Sequence, residues 1–156
     1  MWAYKDSDIR LDIIDMNFAL AKEPLIQMLS NINIYGICAG NDPQLGLIVF
    51  ATEDGGPSVE LWQYSNNTLK LLTTFSNNGE SEGCVYDDEN RTLFISEENT
   101  NGVLKAYQVN DSLDFDSAII IDSRAGNIGG DPEGVAIYKT SLLSGYVVLS
   151  SQGDSK

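Results

Sequence analysis

The sequence predicts an all-β fold, a β-propeller of four-stranded antiparallel blades. Two observations carry this. A pattern recurs at about 50 residues, and its units are short apolar strands joined by Gly, Asn and Asp turns. The first strand of each unit aligns on a glycine: Ile34-Tyr35-Gly36-Ile37-Cys38, Glu82-Gly83-Cys84-Val85-Tyr86 and Glu133-Gly134-Val135-Ala136-Ile137. A second class is apolar or β-branched throughout, at Leu47–Thr52, Thr92–Ser96 and Tyr146–Ser150. Such runs fit inner strands covered on both faces. A third class alternates, at Ile9–Ile13, Val59–Tyr64 and Val103–Tyr107, and is expected nearer the solvent. Thr68–Phe75 and Ala118–Asp122 supply the fourth. A β-sandwich is the rival architecture, but it would not repeat four strands in fixed order.

The repeat is open at both ends. It begins at the alternating strand Ile9–Ile14. Two complete blades follow, at 34–75 and 83–122, flanked by partial blades at 8–30 and 133–152. Together they make about half of a six-bladed ring. Blades pack face to face, so a half ring exposes apolar surface. The chain is therefore expected to self-associate, as two half rings, or to pair with the rest of a longer protein. Residues 16–32 break the pattern and read as a loop. Asn17–Lys22 holds one helical turn at most, because Pro24 interrupts it. Asn66-Asn67-Thr68, Asn90-Arg91-Thr92 and Asn110-Asp111-Ser112 fit a glycosylation pattern, but read more simply as turns.

Composition excludes several functions. The 156 residues include 23 acidic and 9 basic ones, for a formal charge of −14. Nucleic acid is not a fitting partner, since phosphate backbones need a basic footprint. With no histidine, Ser-His-Asp and Cys-His catalysis and histidine zinc sites are ruled out. Any hydrolysis must rest on carboxylates, metal ions or water. Cys38 and Cys84 lack metal-ligand spacing and are expected as buried free thiols, with a disulfide as the alternative. No apolar run is long enough to span a bilayer, and no leader peptide is visible.

Strands that deliver carboxylates to one rim are a way to build a cation site, because converging carboxylates repel one another unless a hard cation such as calcium neutralises them. Glu82-Gly83, Asp87-Asp88-Glu89 and Leu93-Phe94-Ile95-Ser96-Glu97-Glu98 have this character. With Asp122-Ser123-Arg124, Asp131-Pro132-Glu133-Gly134 and Ser150-Ser151-Gln152-Gly153, they resemble the core of the β-propeller phytases (alkaline, calcium-dependent 3-phytases). The resemblance covers residues 31–156 in order and extends, less closely, to residues 8–15. It implies a secreted or periplasmic hydrolase that releases phosphate from phytate, myo-inositol hexakisphosphate, with calcium as cofactor. By that resemblance Glu82, Glu98, Asp131 and Glu133 hold calcium in the catalytic centre. Gln152 is a further metal ligand and Tyr35 contacts a substrate phosphate. Bridging calcium would let an acidic protein accept a polyanion, polarise the phosphoryl group and activate water.

Read singly, Asp87-Asp88-Glu89 is a solvated turn, and Glu97 faces away from Glu98 into solvent. Asp131 and Glu133 flank one residue, which in a strand puts both side chains on one face. The pattern also departs from the family. Gly55 stands where the family's phosphate-binding lysine is expected, and the arginine clamp and other calcium ligands are missing. The partial domain is therefore expected to be weak or inactive alone. The alternatives are a non-catalytic helper domain that binds calcium or phytate, and a six-bladed calcium lactonase.

Overall fold

The computed structural model describes residues 2–4, 8–11, 26–98 and 101–153. They form thirteen strands in four antiparallel sheets. Strands β1 (Trp2–Tyr4), β2 (Asp8–Leu11) and β3 (Ile26–Leu29) make a three-stranded sheet. The first full blade is β4 (Ile34–Asp42), β5 (Gly46–Glu53), β6 (Ser58–Ser65) and β7 (Thr68–Ser76). The second is β8 (Ser81–Asp87), β9 (Thr92–Glu97), β10 (Val103–Gln108) and β11 (Ile119–Ser123). A hairpin of β12 (Asp131–Ser141) and β13 (Ser144–Gln152) follows. This is a β-propeller architecture whose described blades do not close a ring.

Hydrophobic alternation explains the stacking. In β5, Ile48 and Phe50 point into a core shared with the second blade, where they meet Leu93, Ile95 and Tyr107. Val49 and Ala51 point the other way, toward Ile9, Leu11 and Trp62. Residues Ile48 to Ala51 are all fully buried, as an inner strand covered on both faces requires. The hairpin has only one covered face. Val135, Ile137 and Val147 lie against the second blade's side, while Ala136, Tyr138 and Val148 are exposed.

Several expectations need correction. A strand, β1, precedes Ile9; its three residues are too short to carry a period. Ile26–Leu29 is strand β3, not loop, and it pairs with Asp8–Leu11. Asn17–Lys22 and Pro24 lie outside the described residues. The alternating strand β6 is not near solvent: its polar member Glu60 is fully buried. Glu60 is satisfied by Ser30 Oγ at 2.7 Å, the Asn31 amide at 3.1 Å and Trp62 Nε1 at 2.9 Å. Alternation in sequence thus marks a carboxylate that anchors the preceding segment, rather than a wet face.

The cysteines are not free thiols. Cys38 and Cys84 form a disulfide with Cα atoms 5.7 Å apart. The reason is strand parity. Gly36 faces the second blade, and Cys38, two residues on, shares its face. Gly83 faces the hairpin, so Cys84, one residue on, points back to the first blade.

The acidic turn is not simply solvated either. Asp87 is buried and accepts Lys139 Nζ at 2.6 Å from the hairpin. Asp88 accepts the Asn41 amide at 3.0 Å from the first blade. These residues staple neighbouring blades at the end remote from Tyr35 and Glu82. Asn66 and Asn67 both have positive φ, as a two-residue hairpin turn demands.

Candidate functional site

A bulge at the start of each first strand builds the candidate site. Register shifts fall between Ile34 and Ile37, Ser81 and Cys84, and Pro132 and Val135. Each spans an X-Gly pair: Tyr35-Gly36, Glu82-Gly83 and Glu133-Gly134. A bulge re-aims the side chain beside it. Tyr35, Glu82 and Glu133 are therefore equivalent residues of three successive blades, brought to one rim.

Glycine is needed here for close approach. A Cβ on Gly36 would lie 2.6 Å from the Glu82 carbonyl oxygen, and one on Gly83 would lie 2.5 Å from that of Glu133. Without side chains at 36 and 83, each blade sets the backbone of its rim residue directly on the blade before.

The rim residues act on one another. The Tyr35 hydroxyl donates to the Glu82 carboxylate, and that bond, with the Glu82 charge, raises the phenol's pKa above its ordinary value. Glu82 is buried. Burial pushes its pKa up to about 7; the Tyr35 bond opposes this, while a hydrogen bond with Glu98 and the charges of Glu133 and Glu98 add to it. Glu98 follows β9 directly, its amide held by the Glu80 carbonyl at 3.0 Å.

The other expected residues lie at the start of β12 and the end of β13. Asp131 opens β12 opposite Gln152 of β13, so the two share one end of the hairpin. The Asp131 carboxylate is ion-paired with Arg124. Among the described residues, no three Asp, Glu, Cys or His side chains are close enough to enclose a metal ion.

Glu97 differs from expectation. It faces away from Glu98 but is buried, not solvated. Lys105 pairs with it, and Asn77 Nδ2 donates to it at 3.2 Å. Gly55 has φ of +65°, so the turn after β5 favours glycine where a family lysine is expected. Sequence reasoning missed the hydroxyls beside the bulges. Thr52 Oγ1 accepts the Gly36 amide at 2.9 Å, Ser96 Oγ that of Gly83 at 2.8 Å and Ser150 Oγ that of Gly134 at 2.9 Å. The signal was present, since each second-class run ends on one of these residues.

A family model described as Phytase matches residues 63–156, more than half of the chain. The chain belongs to the phytase family. No curated protein matches it by sequence. The phytase match takes in Glu82, Glu98, Asp131, Glu133 and Gln152, while Tyr35 lies outside it. At family level the chain is thus a phytase-type hydrolase, with phytate as the family's substrate. Among the described residues no helix is long and apolar enough to cross a membrane.

Proposed function

We propose that this chain supplies part of a calcium-lined mouth for hydrolysis of phytate phosphomonoesters. The observation that carries the reading is the equivalence of Tyr35, Glu82 and Glu133, each set beside a bulge in successive blades. The donor chemistry suits calcium, while these carboxylates as they stand do not enclose an ion and would have to draw together to hold one. Carboxylate oxygens are hard ligands of the kind calcium takes. Glu82, Glu98 and Glu133 would hold the ion. Asp131 and Gln152 would join after Asp131 parts from Arg124. Bound calcium supplies Lewis-acid polarisation of a phosphoryl oxygen and reverses the local charge. Tyr35 orients a substrate phosphate through its hydroxyl. The carboxylates bind rather than transfer protons.

The disulfide supports a secreted or periplasmic setting, because such bonds persist in oxidising compartments. Gly55 favours a second reading, a helper domain that binds calcium and phytate without turning phytate over.

Calorimetry is expected to show calcium uptake by the purified chain, and Glu82→Gln is expected to weaken it by about tenfold or more. Undiminished binding by Glu82→Gln would remove Glu82 from the site. Phytate binding that needs calcium but yields no phosphate selects the helper reading. Rapid calcium-dependent release of phosphate selects the complete enzyme and refutes weakness alone.

Self-association belongs to the same proposal. Tyr138 is 64% exposed, Tyr146 66% and Val148 53% on the hairpin's open side. Exposed apolar surface of this kind mates two half rings or accepts further blades. Sedimentation at micromolar concentration is expected to show association, and a clean monomer would argue against pairing of half rings.

A further inference from the structure

We infer that Ser96 is a positioning residue that sets the spacing of the calcium-binding carboxylates, an inference that rests on the calcium reading above. Ser96 is fully buried on β9. Its hydroxyl accepts the Gly83 amide at 2.8 Å, lies 3.1 Å from the Gly83 carbonyl and donates to the Glu133 carbonyl. All these partners belong to the rim. Gly83 follows Glu82, Glu133 carries its own carboxylate, and Glu98 lies two residues beyond Ser96 on the same strand path. One oxygen therefore ties together the backbone beneath three carboxylates drawn from two blades.

The bulges explain why a hydroxyl is required. Each bulge takes a glycine amide out of the strand ladder, and a buried amide needs another acceptor. Thr52, Ser96 and Ser150 meet that need in their own blades. Among the described residues, Ser96 also donates across the blade boundary to the next rim residue. This second bond fixes where Glu133 sits relative to Glu82. A group that only filled space would serve equally well as alanine, but alanine leaves the Gly83 amide and the Glu133 carbonyl without this partner. Threonine keeps the hydroxyl, and Thr52 already occupies the equivalent place in the first blade.

Terbium serves as the calcium probe, sensitised by tyrosine emission and read alongside the thermal melt. Ser96→Ala is expected to weaken terbium binding by about tenfold, the scale seen when a residue behind a metal ligand is lost. Ser96→Thr is expected to restore it. In the metal-free chain, amide exchange at Gly83 is expected to speed up in Ser96→Ala, with distant strands unchanged. If Ser96→Ala lowers the melting temperature yet binds terbium as tightly as the wild-type chain, the residue is merely structural and the inference fails. Failure of Ser96→Thr to recover affinity also overturns it. If the wild-type chain takes up neither terbium nor calcium, the calcium reading falls first and this role falls with it. Should Ser96→Ala be unfolded, the threonine variant and a Ser96→Cys variant decide, with the weaker hydroxyl substitute expected to bind less tightly than threonine.

Discussion

Asp42→Ala is expected to destabilise the chain by about 3–5 kcal/mol, because it removes the buried partner of Arg91 and leaves that cation only the exposed Asp111. Asp42 has a fully buried side chain at the end of β4. It accepts the Tyr86 hydroxyl at 2.5 Å, Arg91 Nε at 2.8 Å and the Gln44 and Leu45 amides at 2.8 Å each. Two of these donors come from the second blade, so the carboxylate pins one blade to the next. Its loss leaves the largely buried Arg91 guanidinium with only Asp111, at 3.0 Å on the surface, and the Tyr86 hydroxyl without its acceptor. A drop in melting temperature of about 10 °C would match the expected loss for a chain of this size. A change of only a degree or two would show that Asp111 and water suffice for Arg91. Combining Asp42→Ala with Arg91→Met is expected to cost less than the sum of the two single changes, since the under-compensated charge goes too.

The same carboxylate sets the acid limb of stability. Burial alone would raise the Asp42 pKa, but hydrogen bonds from Tyr86, Arg91, Leu45 and Gln44 outweigh it and hold the pKa below its ordinary 3.8. Asp87 is also lowered: burial again opposes, and the bonds from Lys139 and Asn90 win. For a lowered carboxylate, the stabilisation is full above the unfolded value and is lost as pH falls through the folded one. Stability is therefore expected to hold to about pH 4 and to fall steeply below it. Asp42→Asn is expected to flatten that fall in acid denaturation followed by circular dichroism. An unaltered profile would show that other groups govern the acid limb.

The blade pattern was legible because an inner strand must be apolar on both faces, and Ile48-Val49-Phe50-Ala51 can satisfy little else. The rim carboxylates were legible because Glu82 and Glu133 each precede a glycine at repeat spacing. Side-chain partners were not legible. Glu97 and Asp87 read as solvated because carboxylates usually are, yet Lys105 and Lys139 reach them from other strands. The bond between Arg124 and Asp131 depends on how the turn after β11 delivers an arginine to the start of β12, which no spacing rule conveys. Ser96 was visible only as the end of an apolar run. Its meaning needs the next blade in place, because the Glu133 carbonyl lies 37 residues away along the chain.

Removing the disulfide is expected to cost about as much stability as losing Asp42 and to disturb the site's geometry more. The bond closes a loop with a sequence separation of 46. In the chain-entropy view, releasing a loop of that length costs about 4 kcal/mol, a large share of the ~5–15 kcal/mol that stabilises a typical domain. Cys38 lies two residues beyond Gly36, and Cys84 lies one residue beyond Gly83. The crosslink therefore sits just beneath the bulges that present Tyr35 and Glu82, and it fixes one blade's rim residue relative to the next. The paired Cys38→Ser and Cys84→Ser variant is expected to melt about 10 °C lower. It is also expected to bind calcium more weakly, because the Tyr35–Glu82 contact spans the boundary that the disulfide holds. Glu133 and Glu98 should be less affected, since Ser96 and the β8–β9 ladder tie them to Glu82 independently. The comparison separates two causes. If affinity falls while exchange at Gly83 stays slow, the disulfide acts through the alignment of the first blade. If both change together, the second blade itself has loosened. If the variant melts and binds as the wild-type chain does, blade packing alone holds this boundary.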